Sequence, residues 1–429
     1  MKKLLCLLLC GMLLMTAAAC NREATPTEPT EPPTQPIVEV ELGTMPQELK
    51  YEGVQLQYWS LLSESDPEAQ VLRLVAEDFE RTTGADVQLN WLAGNTAGLA
   101  ELLAGDQQVD IFETPGNMME KNLDRYAMDL TDLAAAAQYD ARSWAVLRTQ
   151  ILERSGALKA IAHRPCLYGL YYNREAFDKL GVEVPPSTWE EYLAFCQTLK
   201  DNGYEGLVID QERAHIVLEL LMERALGWEG IREVMLNEAW LQNKTGLTMI
   251  QEAIGFAEKG YLVKGMPAAL PDGQSRLAQS NAVFVAGPTE LCSEVEQYTL
   301  ADMKWGVMPH PGNGPGTGLL VDADVLAVKE GCAEPDAAFD FVMMVTTGAY
   351  DQLRADVTVG IPADPGNRSV ITGADTCMET ATAKAPRWFL DIHSELFCRL
   401  WNGYYKTGSY FASQLNQVSN DFDSEKSVG

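Results

Sequence analysis

The chain is short of positive charge, of histidine and of the compact motifs that carry catalysis. Of its 429 residues, 32 are Lys or Arg and 61 are Asp or Glu, a formal net charge of −29. Nucleic acid needs a cationic face, so that class of partner is excluded. The excess acid gives a solvated surface and also admits an acidic cleft for a cationic ligand, since net charge does not locate charge. The four histidines, His163, His215, His310 and His393, stand far apart with no metal-type spacing. There is no H-E-x-x-H, no G-x-S-x-G and no Walker A sequence. Asp322-Ala323-Asp324 begins like a calcium loop, but Leu326 takes the next ligand position. None of the nine cysteines forms a C-x-x-C pair, against a zinc ribbon or thioredoxin-type motif. These absences predict a protein that is not an enzyme and holds no cofactor or metal. An acidic chain always contains carboxylate pairs, so a glycosidase pair stays open on counting alone.

Long apolar runs are missing as well. Leu4–Met15 is too short to span a membrane as a mature helix. With Lys2 and Lys3 before it and Thr16-Ala17-Ala18-Ala19-Cys20 after it, the segment reads as a signal peptide over residues 1–19. Small residues directly before a cysteine resemble the bacterial lipobox. That resemblance implies cleavage before Cys20 and a lipid on its sulfur. Residues 20–49 then form a stalk rich in Pro, Thr and Glu, with too few apolar residues to fold. The six later cysteines, Cys166, Cys196, Cys292, Cys332, Cys377 and Cys398, are scattered. An oxidising compartment would allow them to pair, but spacing assigns no partners.

What is present is a core large enough for two lobes. Hydrophobic residues make up 46% of the chain. Val54–Leu61, Asp86–Leu92 and Val109–Glu113 read as strands with helices between them, a β-α-β-α-β alternation that predicts a parallel sheet. Asp66 followed by Pro67 marks a helix start, and Gly84 its end. Leu167–Leu199 is the most informative stretch. Leu167–Tyr172 reads as a buried strand bounded by Pro165 and Asn173. Gly181 ends a helical turn, Pro185 and Pro186 extend the linker, and Thr188 with Glu191 forms a capping box. Trp189, Tyr192, Leu193 and Cys196 share the inner face of the following helix.

The order YYN, G, PP, TW and E in this stretch resembles the extracellular solute-binding proteins of ABC importers, the group containing the maltose-binding protein. Ala282–Gly287, Trp305–Pro311, Gly314–Val328, the helix from Pro335, Gly360-Ile361-Pro362-Ala363 and the C-terminal segment resemble further passages of that family, in order, from about residue 50 onward. The resemblance implies an α/β, two-lobed periplasmic-binding-protein-like fold of type II. Residues 50–164 and 309–354 would form the N-terminal lobe, and 165–308 and 355–429 the C-terminal lobe. Crossings would fall near His163–Cys166, Val307–Pro311 and Leu353–Gly360. The implied protein is a lipid-anchored monomer outside the cytoplasmic membrane. It would capture a small solute, a carbohydrate in much of the family, by hinge closure and deliver it to an ABC permease. A ligand-presenting sensor, or a binder of a polyamine, peptide or metal, are the alternatives.

A ligand between two such lobes meets strand ends and the loops after them. That rule selects Trp59, Ser60 and Glu64 after the first strand, and Glu113, Thr114 and Asn117 after the third. It also selects Gln211, Glu212, Arg213 and His215 after Gly206–Asp210. On the return path stand Thr289 and Glu290, Asp322 and Asp324, and Glu395 and Arg399, with Arg164 at the first crossover. Sugar-binding members often carry Trp just after the glycine that here begins Gly287-Pro288-Thr289-Glu290, and none is present. Trp228, Trp305, Trp388 and Trp401 remain as candidate platforms or core residues, while Trp189 reads as structural.

Overall fold

The computed structural model describes residues 46, 48–119, 123–237, 239–279, 282–299, 303–383 and 393–426. The signal peptide, Cys20, the stalk up to residue 45 and Trp388 lie outside these residues. Among the described residues no helix is long and apolar enough to cross a membrane.

The unit Leu42–Gly429 is built on one mixed sheet. Its strands are β1 (Gln55–Ser60), β2 (Asp86–Trp91), β3 (Ile111–Pro115), β4 (Ile161–Asn173), β5 (Glu205–Val208), β6 (Ala282–Gly287), β7 (Trp305–Met308), β8 (Leu320–Val328) and β9 (Thr382–Ala383). The order is β2-β1-β3-β8-β4-β6-β5, with β7 on β4 and β9 on β8. β1 pairs parallel with β2 and β3, as the alternation of strands and helices requires. The antiparallel β8 then makes the sheet mixed.

β4 joins the two lobes. Residues Ile161–Tyr168 pair with β8, and Gly169–Asn173 pair with β6 and β7. The sequence reading stopped the strand at Pro165, yet the ladder runs through it. Pro165 is tolerated because the register shifts between Ala162 and Arg164, a bulge next to the residue that has no N–H to give. Beyond the bulge Arg164 stands opposite Asp324, and Cys166 opposite Asp322.

Each lobe buries its own apolar face. In the first, Phe341 of the helix Pro335–Thr346 packs edge-on against Tyr58 and Phe79. In the second, Trp189, Tyr192 and Phe256 stack with Phe177, Phe195 and Phe284 around them. Trp189 also lies over His310, rings 5.9 Å apart. The Thr188–Glu191 capping box is formed, and Gly181 and Gly84 end their helices in the left-handed conformation. Asp66 precedes the helix Pro67–Thr83 but does not cap it; its carboxylate accepts from the Ser63 N–H at 2.7 Å. The helix read as ending near Gly227 does break there: Gly227 has a non-helical φ of 68° and ψ of 165°, and a second helical segment follows to Leu236. The six later cysteines are free thiols.

Two connections between the lobes are tied down. Residues 312–318, between β7 and β8, lie on the helix Ala214–Leu236 of the second lobe. Arg224 donates to the carbonyls of Gly312, Gly316 and Thr317, and Glu223 accepts from the N–H groups of Thr317 and Gly318. The approach demands glycine: a Cβ on Gly316 would stand 1.7 Å from the Glu223 carbonyl oxygen. The chain after residue 355 stays with the first lobe for some way. Trp144 donates to the Pro362 carbonyl and Arg142 to Asp364. Contact with the second lobe resumes at Thr372, which bridges to Gly306.

Candidate functional site

A cavity of 360 Å³ opens where β4 and β8 pass between the lobes. The first lobe supplies Leu62, Asp66, Pro67 and Glu68, from the loop after β1 and the helix start behind it. The second supplies Thr289, Glu290 and Ser293, from the turn after β6 and the helix Leu291–Glu296. Arg164, Pro165 and Asp324 come from the crossing strands, and Arg354, Thr358, Gly360 and Ile361 close the remaining side.

Arg164 is the centre of the charge network. Its guanidinium pairs with Glu68 at 3.2 Å, with Asp324 at 2.7 Å, and with Glu113. Burial opposes its charge, but Glu113, Glu68 and Asp324 outweigh burial and hold the guanidinium firmly protonated. Glu68 is 6% exposed. Burial pushes its carboxyl up, and the Arg164 and His163 side chains pull it well below the ordinary carboxylate range. Its Oε1 pairs with His163 Nε2 at 3.4 Å. Glu113 is fully buried behind Arg164, where it accepts from Ser60 Oγ at 2.5 Å and from the Leu61 N–H at 3.3 Å. Arg354 is committed to Asp351 at 3.0 Å and the Ile361 carbonyl at 2.7 Å, while its buried Nε has no acceptor.

The opposite wall is built differently. Thr289 accepts from the Leu167 N–H at 2.9 Å and bonds to Tyr171, which fixes the turn after β6. Glu290 is exposed at the cavity, and the Cys166 thiol donates to it at 3.3 Å. The enclosing walls raise its carboxyl above the ordinary value, and repulsion from Asp324 adds to this. One turn further on, Glu294 pairs with Arg213 through two bonds of 2.7 Å.

The structure therefore brings Arg164, Thr289, Glu290 and Asp324 to one cavity, with Ser60 and Glu113 directly behind. Thr114 is fully buried, and Asn117 lies in the short helical turn after β3. Gln211, Glu212, Arg213 and His215 gather at the start of the helix Ala214–Leu236, against the helix His393–Trp401 that carries Glu395 and Arg399. Glu395 and Arg399 pair with each other. Asp322 lines a small pocket of 10 Å³ with Met119 and Ile151. Glu64 pairs with Arg73 at 3.0 Å on the surface. Trp59 points to the sheet face opposite Tyr58 and donates its indole N–H to the Gln108 carbonyl at 3.2 Å. Trp228 packs against the second-lobe core, where Trp305 and Trp401 are buried.

Asp66, Glu68, Ser293, Arg354 and Thr358 were not singled out as site residues in the sequence; Asp66 was read only as a helix start. The acidic alternation Glu64, Asp66, Glu68 just after the first strand is the signal that could have found two of them. None of the described lining residues carries an aromatic ring. A second cavity, also of 360 Å³, lies on the second lobe beside Trp189, but its Arg224 is spent on loop carbonyls.

Two lobes on a mixed sheet, crossed by long strands with a polar cavity at the crossing, define a periplasmic-binding-protein-like receptor of type II. The model of the bacterial extracellular solute-binding protein family matches residues 63–350, and the chain belongs to that family. It is a solute receptor and not an enzyme; among the described residues no group of His, Cys, Asp and Glu could hold a metal ion. Solved structures share the fold at low identity. The apo form of RafE from Streptococcus pneumoniae is 16% identical with a TM-score of 0.71, over 87% of this chain and 99% of that one. RafE in complex with raffinose is 15% identical with a TM-score of 0.65, over 86% and 99%. Maltose-bound T. maritima MalE3 is 15% identical with a TM-score of 0.62, over 86% and 100%. No curated protein sequence matches the chain.

Proposed function

We propose that this receptor captures a small carbohydrate between its lobes and delivers it to the membrane permease of an ABC importer. The observation that carries the reading is the mixed polar lining of the cavity at the lobe crossing, where Arg164, Glu68, Asp324, Thr289, Glu290 and Ser293 come together. A polyhydroxyl solute both donates and accepts hydrogen bonds, so it suits a lining of carboxylates, hydroxyls and a guanidinium. Family membership and the sugars bound by RafE and MalE3 support the same class.

The mechanism is hinge closure. Moving a population from 1:99 to 99:1 needs about 5.5 kcal/mol of differential affinity. A micromolar solute brings about 8 kcal/mol in total, so a small sugar suffices. The chain works as a monomer, held outside the cytoplasmic membrane by lipid on Cys20. A thermal-shift screen of the full chain against saccharides tests the solute class, because bound ligand raises the melting temperature by mass action. A shift with a saccharide supports the reading; shifts only with amino acids, peptides or polyamines overturn it. Loss of labelled-lipid incorporation in Cys20→Ala tests the anchor, and retained incorporation there rules it out.

A further inference from the structure

We propose that Asp210, Arg213, Gln274 and Glu294 form a proton-operated latch behind the second-lobe wall of the cavity: a proton on Asp210 leaves Arg213 to Glu294, and loss of that proton to solvent draws Arg213 to Asp210 and releases the helix that begins beside Glu290. Asp210 follows β5, and the chain turns from it straight into the single turn Gln211–Arg213. It is 1% exposed, and neither of its oxygens has a hydrogen bond. The carboxyl lies against the first turn of the helix Asp272–Gln279, so closely that a Cβ on Gly273 would overlap Oδ1. Donors stand nearby but are spent on another acid. Arg213 gives two guanidinium nitrogens to Glu294 at 2.7 Å each, and the buried Gln274, next to Gly273, donates its amide to the same carboxylate. All the donors therefore serve the outer acid, since the Glu294 side chain is 32% exposed, and none serves the inner one.

That division holds only while Asp210 is neutral. Burial lifts its carboxyl to about 6; Arg213 opposes the lift, and Glu294 and Glu212 add to it. An ionised carboxylate enclosed without a partner costs far more than a partly exposed ion pair contributes. Water can take the place of Arg213 at Glu294 and cannot at Asp210, so the guanidinium, charged in both states, goes to the inner acid. The other titratable groups on the surrounding elements have partners of their own. Glu212 accepts from the Leu270 N–H, Arg276 donates to the Lys264 carbonyl, the Cys398 thiol donates to the Gln211 carbonyl, and Glu395 pairs with Arg399. His215 opens the helix that follows, and Glu290 stands on the cavity side. The helix Leu291–Glu296 is pinned at its far end by Trp305, whose indole N–H donates to Glu296 at 2.9 Å, and at its near end by Thr289 on the Leu167 N–H. Arg213 and Gln274 hold it in the middle through Glu294. Loss of that third tie loosens the wall that presents Glu290 and Ser293, whichever solute binds there.

The test is amide hydrogen exchange of the solute-free full chain at pH 5 and pH 8, read as protection factors so that the intrinsic pH dependence of exchange drops out. Residues 291–296 should lose protection by about threefold or more at pH 8 in the parent chain. Asp210→Asn, which copies the protonated acid, should keep its protection at both pH values. A double-mutant cycle of Arg213→Met and Glu294→Gln gives the second readout: their coupling should be present at pH 5, fall by about half or more at pH 8, and persist at pH 8 in the Asp210→Asn background. His215→Gln should leave both changes in place. Protection and coupling that stay constant between the two pH values in the parent chain overturn the latch. So does the same loss in Asp210→Asn, or disappearance of the loss in His215→Gln, which would assign the proton to the histidine. A change in either readout without the other breaks the link from Asp210 to the cavity wall and overturns it as well.

Discussion

The two walls of the cavity hold similar chemistry in opposite states. On the first-lobe side Glu68, Glu113 and Asp324 converge on Arg164, and Ser60 supports Glu113 from behind. On the second-lobe side Glu290 is exposed at the cavity with only a thiol beside it, while the neighbouring Glu294 is satisfied by Arg213. The first wall is knit by ion pairs through Arg164, while Glu290 on the second has none among the described residues. The lesson is that stability and recognition are separated by lobe: breaking the first wall should unfold the protein, and altering the second should change only what binds.

The sharpest way to break this contrast is Arg164→Met. It strands three carboxylates, one of them fully buried, and should cost about 3 kcal/mol of stability, read as a fall in the denaturation midpoint. A near-neutral result would mean that the first wall is not structural.

Asp210 extends the comparison to pH. It is 1% exposed, neither carboxylate oxygen has a hydrogen bond, and burial lifts its carboxyl to about 6 despite Arg213. An acid whose folded value is raised retains its proton longer in the fold, so its contribution to stability is full below about pH 4 and is lost as pH rises through 6. Asp210→Asn should gain about 2 kcal/mol at pH 8 and nothing at pH 4. Melting temperatures across pH check this; a parallel offset at every pH would assign the effect to packing.

His310 has the opposite sign. Burial against Trp189 lowers its imidazole to about 4, so stability present above pH 6.5 is lost as pH falls toward 4. In the parent protein the two groups oppose each other between pH 4 and 6, and Asp210→Asn should expose a steeper acid limb.

Trp59→Ala should have a smaller effect, about 1 kcal/mol of stability from a half-buried indole, with solute affinity unchanged. A loss of affinity without loss of stability would return Trp59 to the cleft. Smallest of all, Glu290→Gln should leave the solute-free melting temperature where it is, within about 0.5 kcal/mol. A large fall would show that the second wall is as structural as the first.

Local features were legible in the sequence. The capping box at Thr188, the glycine ends at Gly84 and Gly181 and the buried face of Trp189 depend on residues a few positions apart. The face of Trp59 was not read: the sequence placed it among the cleft candidates, whereas Leu56 and Tyr58 take the core side of β1 and strand alternation puts Trp59 on the other. The Arg164 network was not legible. It depends on a bulge and on the register that sets Arg164 opposite Asp324, 160 positions away. Asp66 looked like a helix cap because Pro67 follows it, and nothing local reveals that its carboxylate turns back to Ser63. The family resemblance located the cleft, but residue order cannot say which carboxylates share a cation.

The strap of residues 312–318 bears on how such a receptor would report its cargo. Glu223 and Arg224 bolt it to the second lobe, so the linker between β7 and β8 has little slack to offer. A rotation of one lobe against the other would then be taken up as torsion in the β4–β8 ladder itself. That ladder carries Arg164 and Asp324. In a hinge closure of the kind proposed, pivot and sensor would be the same few residues, and a solute arriving in the cavity would act on the axle rather than on a distant lever.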